Sequence, residues 1–142
     1  MPAGYVFDDT VLSRILTEFR DWLLAEDPWT LHLFTNDRTP ADGDDEADYT
    51  EAAFTGYAPL TLTMSNFGSV SVTDHVASST YAPAPQFDYT SGAGSAVTIY
   101  GYYLLDADDN FKVAERVTTE KIINPGDGIK VTPRVRQKTC RE

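Results

Sequence analysis

Short segments that alternate apolar with polar residues fill most of the chain after residue 28, and they constrain the fold more than any other feature. They recur roughly every 8–12 residues between Gly-, Pro-, Asn- and Asp-rich turns, which is typical of a β-sandwich or jelly roll. Residues 96–105 form the clearest segment, and residues 111–117 are predicted to return beside it as a hairpin. The pattern predicts a mainly β fold of about seven or eight strands, jelly-roll-like or another antiparallel β-sandwich.

The alternation also predicts which side chains share a face of each strand. Residues 29–35, 60–64, 70–76 and 129–135 show it clearly. In residues 96–105 a glycine, Gly101, stands in the middle and indicates a bulge or a close backbone approach. Simple alternation there predicts one face with Val97, Ile99, Tyr103 and Leu105, and an opposite face with Tyr100, Tyr102 and Leu104.

One helical segment precedes the strands. Apolar residues recur at helical spacing from Val11 to Leu23, Asp9 or Thr10 is a plausible cap, and Pro28 ends the pattern. The spacing predicts an amphipathic helix over residues 10–26, which lies on a surface of its own domain or of a neighbour. We therefore divide the chain into an N-terminal segment, residues 1–27, and a β-sandwich domain, residues 28–142.

The charge of the chain excludes some partners. Its formal net charge is −11 and its pI about 4.4, which disfavours binding to nucleic acid or to an anionic membrane. No membrane-spanning stretch or signal peptide is predicted. Residues 112–142 differ from the rest, with eight bases and four acids. Such polarity can help copies or partners dock in one orientation, and a solubilised surface with a basic last strand explains it equally well. The single cysteine, Cys140, excludes an intrachain disulfide.

Two acidic segments are candidate sites for a hard cation. Asp106, Asp108 and Asn110 have the spacing of a calcium loop, but Phe111 stands where such a loop needs glycine. A hairpin turn explains these residues better. The acidic run of residues 42–48 has no ligand spacing and is interpreted as a solvated loop. No metal and no cofactor is therefore predicted.

No complete catalytic set is apparent in the sequence. His32 and His75 stand alone, and Asp74 and His75 would point to opposite faces of a strand, which argues against a triad. No nucleophile elbow or phosphate-binding loop is present. The chain is predicted not to be an enzyme, with a small hydrolase as the weakest alternative. The tyrosines of residues 100–103 would either fill the sheet, which we favour, or form an exposed binding surface.

Four stretches in order resemble a known group of proteins: LHLFTNDRTP at residues 31–40, ADYTEAAFTGYA at 47–58, VTIYGYYLLD at 97–106 and NPGDGIKVTP at 124–133. Together they resemble the small accessory structural proteins of tailed phages. The resemblance covers residues 29–135. It implies a β-sandwich that decorates or cements a capsid, often as a trimer, or serves in a head fibre or tail. It implies no catalytic residues.

The expected function is therefore that of a capsid decoration or cement protein on the outer surface of the virion. Its expected partners are the major capsid protein and further copies of itself, with a trimer favoured. The alternative is a head-fibre or tail module that recognises a host receptor or glycan through exposed aromatic residues. The N-terminal segment lies outside the resemblance and would be an anchor to the particle or an oligomerisation arm.

The expected contact residues lie at the two ends of the chain. The helix would contribute its apolar residues, and the basic C-terminal strand would seek an acidic patch such as residues 42–48 of a neighbouring copy. The predicted contact residues are Leu12, Ile15, Leu16, Phe19 and Trp22 on the helix, and Arg134, Arg136, Lys138 and Arg141 on the tail.

Overall fold

The computed structural model describes residues 8–24, 28–92 and 94–138. Within them one helix, α1 (Asp9–Leu24), precedes nine strands and two short 3-10 turns. The strands are β1 (Trp29–Phe34), β2 (Leu60–Leu62), β3 (Ser71–Thr73), β4 (Val76–Thr80), β5 (Gln86–Asp88), β6 (Val97–Leu105), β7 (Phe111–Ile123), β8 (Gly128–Lys130) and β9 (Arg134–Lys138). The predicted helix is confirmed over residues 10–24, and residues 25–26 lie outside the described ranges.

The strands form three antiparallel sheets. Their orders are β2-β1-β6-β7, β3-β4-β9 and β5-β8. The predicted fold class, mainly antiparallel β with one N-terminal helix, is confirmed. Side chains from all three sheets meet in one main core, where Leu31, Ala77 and Ile129 represent one sheet each. The helix belongs to the same core, because Leu12 and Leu16 lie in it.

Helix α1 begins one residue earlier than expected. Asp8 is its cap: the Asp8 carboxylate accepts a hydrogen bond from the backbone N–H of Val11 at 2.8 Å. A carboxylate at this place satisfies one of the unpaired N–H groups of the first turn and favours the positive end of the helix dipole. The candidates Asp9 and Thr10 instead lie inside the helix.

The bulge predicted at Gly101 is present, and it corrects the predicted faces of β6. The pairing with β7 shifts between Ile99 and Gly101, so the alternation slips by one residue there. Ile99 therefore shares the main core with Tyr102 and Leu104, whereas Tyr103 lies on the opposite face of the sheet. The prediction that Val97 and Ile99 share a face with Tyr103 and Leu105 is therefore wrong.

A second, smaller core covers that opposite face. Phe34, Tyr103 and Leu105 of the four-stranded sheet pack against Tyr49, which comes from the long connection after β1. The rings of Phe34 and Tyr49 have centroids 4.9 Å apart, and those of Tyr49 and Phe111 are stacked at 5.5 Å. The central part of this sheet is thus buried on both faces.

Two of the predicted strands are each divided in the structure. Residues 70–76 are interrupted by Asp74 and His75, both with positive φ (50° and 62°), which make the two-residue hairpin between β3 and β4. The two residues therefore lie in a turn, not on one strand. Residues 129–135 are divided between β8 and β9. Pro133 lies in the gap and has no N–H to donate to a ladder.

Candidate protein-binding surface

Helix α1 is fixed to the sheets by one face. Leu12 and Leu16, 0% and 1% exposed, insert into the main core. The Arg20 guanidinium donates to the Gly68 carbonyl at 3.0 Å, and Asp9 Oδ1 lies 2.9 Å from His75 Nδ1. Leu12 and Leu16 were predicted to contact a partner, and this prediction is wrong, because their side chains are already buried within the chain.

The neighbouring face of α1 is an apolar stripe without cover in the described residues. Val11, Ile15, Phe19 and Trp22 follow one another at intervals of four, four and three, so they lie along one line of the helix. They are 42%, 39%, 41% and 48% exposed. Ile15, Phe19 and Trp22 were among the predicted contact residues. Val11 was omitted, although its spacing to Ile15 could have identified it.

The stripe ends beside the β6–β7 hairpin. The Phe19 and Trp22 rings have centroids 5.8 Å apart, and Lys112 Nζ lies 5.7 Å from the centre of the Trp22 ring. Lys112 Nζ is also 3.3 Å from an Asp106 carboxylate oxygen. A cation over an indole face at partly exposed positions stabilises by about 0.5–1 kcal/mol. Trp22 is therefore held in place while half of its surface stays open.

Two basic residues of the last strand, Arg134 and Arg136, are paired within the chain. The Arg134 guanidinium donates to Glu115 at 2.7 Å, and Arg136 Nη2 lies 3.4 Å from the same carboxylate. Tyr102 Oη also donates to Glu115, at 3.1 Å, and burial raises the pKa of this tyrosine. The hydrogen bond to Glu115 raises the pKa of Arg134. The predicted contacts Arg134 and Arg136 thus join β7 to β9. The Lys138 side chain and Arg141 lie outside the described part of the chain.

The acidic run of residues 42–48 is folded by its own hydrogen bonds. Asp44 accepts hydrogen bonds from Arg38 and Tyr49, and the hydrogen bond from Arg38 holds the pKa of Asp44 well below its usual range. Burial raises the pKa of Tyr49 to about 12. Asp45 and Asp48 cap the 3-10 turn reciprocally. In the residues the structure describes, no cluster of three acidic, His or Cys side chains is suited to a metal ion.

The candidate calcium loop is a hairpin turn closed by Asp106. Its Oδ1 accepts from the backbone N–H groups of Asp108 and Asn110, both at 2.9 Å. The Asn110 side chain donates to Oδ2, at 3.2 Å. These bonds, led by the one from the Asn110 backbone, lower the pKa of Asp106 to about 2. The carboxylate that would bind an ion therefore stabilises its own turn.

The low pKa of Asp106 predicts an acid-dependent loss of stability. A carboxylate whose folded pKa is below its unfolded value, about 3.9, contributes fully above that value and loses its contribution as pH falls through the folded pKa. We expect Asp106→Asn to reduce the fall in the free energy of unfolding between about pH 4 and pH 2. Urea denaturation at pH 2, 3, 4 and 5 measures it. Asp108→Asn, which removes an exposed carboxylate outside these bonds, is the control. Equal pH dependence in wild type and Asp106→Asn would contradict the role of Asp106.

His32 and the tyrosines of β6 contact neighbouring side chains within the chain. His32 Nδ1 lies 2.7 Å from Glu51 Oε1, and the ring of His32 stacks on that of Tyr103 at 4.9 Å. Tyr102 and Tyr103 are buried, which confirms that they fill the sheet. Tyr100 is half-buried, with the Arg116 guanidinium 5.1 Å from its ring centre. These tyrosines give no exposed aromatic platform for a glycan.

No protein-family model, no curated protein and no solved structure matches the chain. Within the described residues, α1 lacks the length and apolar character that crossing a membrane requires. What supports a binding role is therefore the geometry of this surface: an anchored helix that presents a continuous apolar stripe.

Proposed function

We propose that this chain is a virion structural protein, a capsid decoration or cement protein that binds the major capsid protein on the outer surface of the assembled shell. The exposed stripe of Val11, Ile15, Phe19 and Trp22 is the observation that carries the proposal. Soluble proteins seldom leave a continuous apolar patch open unless another surface covers it. The resemblance of residues 29–135 to phage accessory proteins supports this choice of partner.

One stripe is too small to hold a single copy on the capsid, which favours a protein that binds through several copies at once. Fully burying such a side chain contributes about 1.5–3 kcal/mol, so four half-exposed ones contribute roughly 3–6 kcal/mol. Association of one copy costs about 4–15 kcal/mol. A single stripe therefore binds weakly, and stable occupancy needs several linked stripes. We accordingly propose a homotrimer, in which the three helices engage neighbouring capsid subunits together.

Binding of this kind would stabilise the shell by mass action. A protein that binds the assembled lattice and not free subunits shifts the equilibrium towards the lattice. The net charge of −11 would meanwhile repel the exposed surfaces of decorated particles from one another. Neither step requires turnover or a bound cofactor.

Particles assembled from a genome that encodes the chain test the proposal. We expect purified wild-type particles to contain the chain in many copies. Ile15→Asp combined with Phe19→Asp should lower the occupancy at least tenfold, because binding would bury two unpaired carboxylates. Genome release on heating should then occur at a lower temperature. The control is Arg14→Gln, a substitution on the exposed polar face of α1, which should leave occupancy unchanged.

Four outcomes would overturn parts of this proposal. Wild-type particles without the chain would exclude a virion protein. Full occupancy by the double aspartate variant would exclude the stripe as the contact. A label seen by electron microscopy on a fibre or tail would replace decoration with the head-fibre or tail alternative. Sedimentation of the purified protein as a monomer would contradict the trimer.

A further inference from the structure

A groove lies where the end strands of all three sheets approach one another. β7 ends the four-stranded sheet, β9 the three-stranded sheet and β8 the two-stranded sheet. Between them is a cavity of about 280 Å³, to which β6, β7, β8 and β9 all contribute residues. Its location differs from that of the α1 stripe, and none of the stripe residues lines it.

The groove continues along the far half of β7. A second cavity of about 310 Å³ lies between the end of β7 and β8. Lys121, Ile129 and Lys130 line both cavities, so the two cavities adjoin at these residues, which form their junction. Together the two cavities fall in the size range of ligand sites, about 300–1,000 Å³. Side by side, the two cavities offer room for a short stretch of extended chain.

The backbone around the groove is suited to an extended ligand. The pairing of β7 with β6 jumps from Lys121 to Arg116, so residues 117–120 of β7 have no partner in β6. Val117 and Thr118 of this stretch line the groove. End strands and bulges leave N–H and C=O groups available, and added peptide strands bind to such groups.

The side chains define the chemistry of the ligand. Ile99, Ile129 and Val131 form an apolar floor, and Thr118 and Thr132 add hydroxyl groups. In an extended segment alternate side chains point in opposite directions, so apolar ones reach the floor while the others reach the rim. The groove thus fits a segment in which apolar residues alternate with a second kind of residue. The charge of the rim determines what that second kind is.

The charge of the rim is positive at the junction. Lys121 and Lys130 are both exposed, and neither has a carboxylate within 4 Å among the described residues. Glu115 is already paired with two arginines. Asp127 lines only the far cavity, where its carboxylate accepts from the Asn124 backbone. In a chain of net charge −11, the two lysines form a local site for acidic groups.

We propose that this groove binds an acidic, extended segment of a partner protein. Its carboxylates pair with Lys121 and Lys130, and its apolar side chains pack on Ile129 and Val131. A protein segment is preferred to nucleic acid because the strongly negative chain as a whole repels a polyphosphate backbone. This proposal does not depend on whether the chain decorates a capsid.

A labelled model peptide tests the groove. A fluorescein-labelled seven-residue peptide that alternates Glu with Val is titrated with the full chain, and fluorescence anisotropy is measured at low salt. We expect saturable binding that weakens as salt is raised. The same peptide with Gln in place of Glu should bind at least fivefold more weakly. Lys121→Glu combined with Lys130→Glu should lower the affinity for the acidic peptide at least tenfold.

The controls separate the groove from the overall charge. Arg14→Glu changes the charge on α1, away from the groove, and should leave peptide affinity within twofold of wild type. Thermal unfolding checks that the lysine variants fold, as expected for two exposed positions. Absence of binding, equal binding of the Gln peptide, or equal affinity in the double lysine variant would overturn the proposal. Tighter binding of a single-stranded DNA oligonucleotide than of the peptide would replace the protein ligand with nucleic acid.

Discussion

The Gly101→Ala variant is expected to lose about 3 kcal/mol or more of its free energy of unfolding, the upper range for overpacking a core. An added Cβ at this position would lie 2.2 Å from the Glu115 carbonyl oxygen and 2.6 Å from the Phe34 ring. The first contact is with backbone of the paired strand and the second is with a fully buried ring. Neither group can move without opening the β6–β7 ladder or the second core. Urea denaturation, followed by circular dichroism, measures the loss.

Gly68→Ala is the matched control for this prediction. An added Cβ at Gly68 would meet only the Thr80 carbonyl oxygen, at an ordinary contact distance of 3.5 Å. We expect its free energy of unfolding to stay within about 1 kcal/mol of wild type, as for most surface substitutions. Equal stability of the two variants would contradict the close approach at Gly101.

Leu16→Ala is expected to lower the free energy of unfolding by about 2–5 kcal/mol, the usual cost of truncating a buried leucine. The reason is that Leu16 is a member of the main core and is 1% exposed. If α1 were a loose arm, as a separate N-terminal segment would be, the substitution would have little effect on the sheets. Tryptophan fluorescence comes from Trp22 on α1 and from the buried Trp29 of β1, so a Trp22→Phe background isolates the signal for unfolding of β1.

Ile15→Ala controls for changes in helix propensity, because it removes a neighbouring apolar side chain on the same helix. Ile15 is 39% exposed, so we expect a loss below about 1 kcal/mol. The two variants also separate stability from binding: Leu16→Ala should affect folding, whereas substitutions of Ile15 should affect attachment to a partner. Similar losses of unfolding free energy for the two variants would mean that α1 packs on the sheets through a different face.

Sequence patterns predicted the strand, the helix and the bulge, because each of these forms through residues that are close together in the sequence. Residues 96–105 were predicted as a strand, and β6 spans Val97–Leu105. The helix was predicted from its spacing, and Gly101 was identified as a bulge from its position alone. The faces of β6 were wrong on one side of that bulge, because a slip in register moves every following side chain to the other face. The length of the slip depends on β7, which no pattern within β6 reveals.

The candidate surfaces were predicted less completely. Periodicity separates the apolar from the polar face of a helix, but it does not show which part of the apolar face the chain itself covers. Leu12 and Ile15 therefore looked equivalent, although only Leu12 is buried. The groove lysines, Lys121 and Lys130, come from β7 and β8 and had no signal at all in the sequence, since their proximity depends on how separate sheets pack.

The sequence by itself determined the class of the fold, because alternation and helical spacing are properties of neighbouring residues. It also determined the net charge, from which we expect little affinity for nucleic acid or an anionic membrane. Only the tertiary structure decided that α1 is anchored by Leu12 and Leu16, and that Arg134 pairs with Glu115 within the chain. It also revealed the groove between three sheet ends. Each of these depends on contacts between residues distant in sequence, which arise only when the sheets close around a common core.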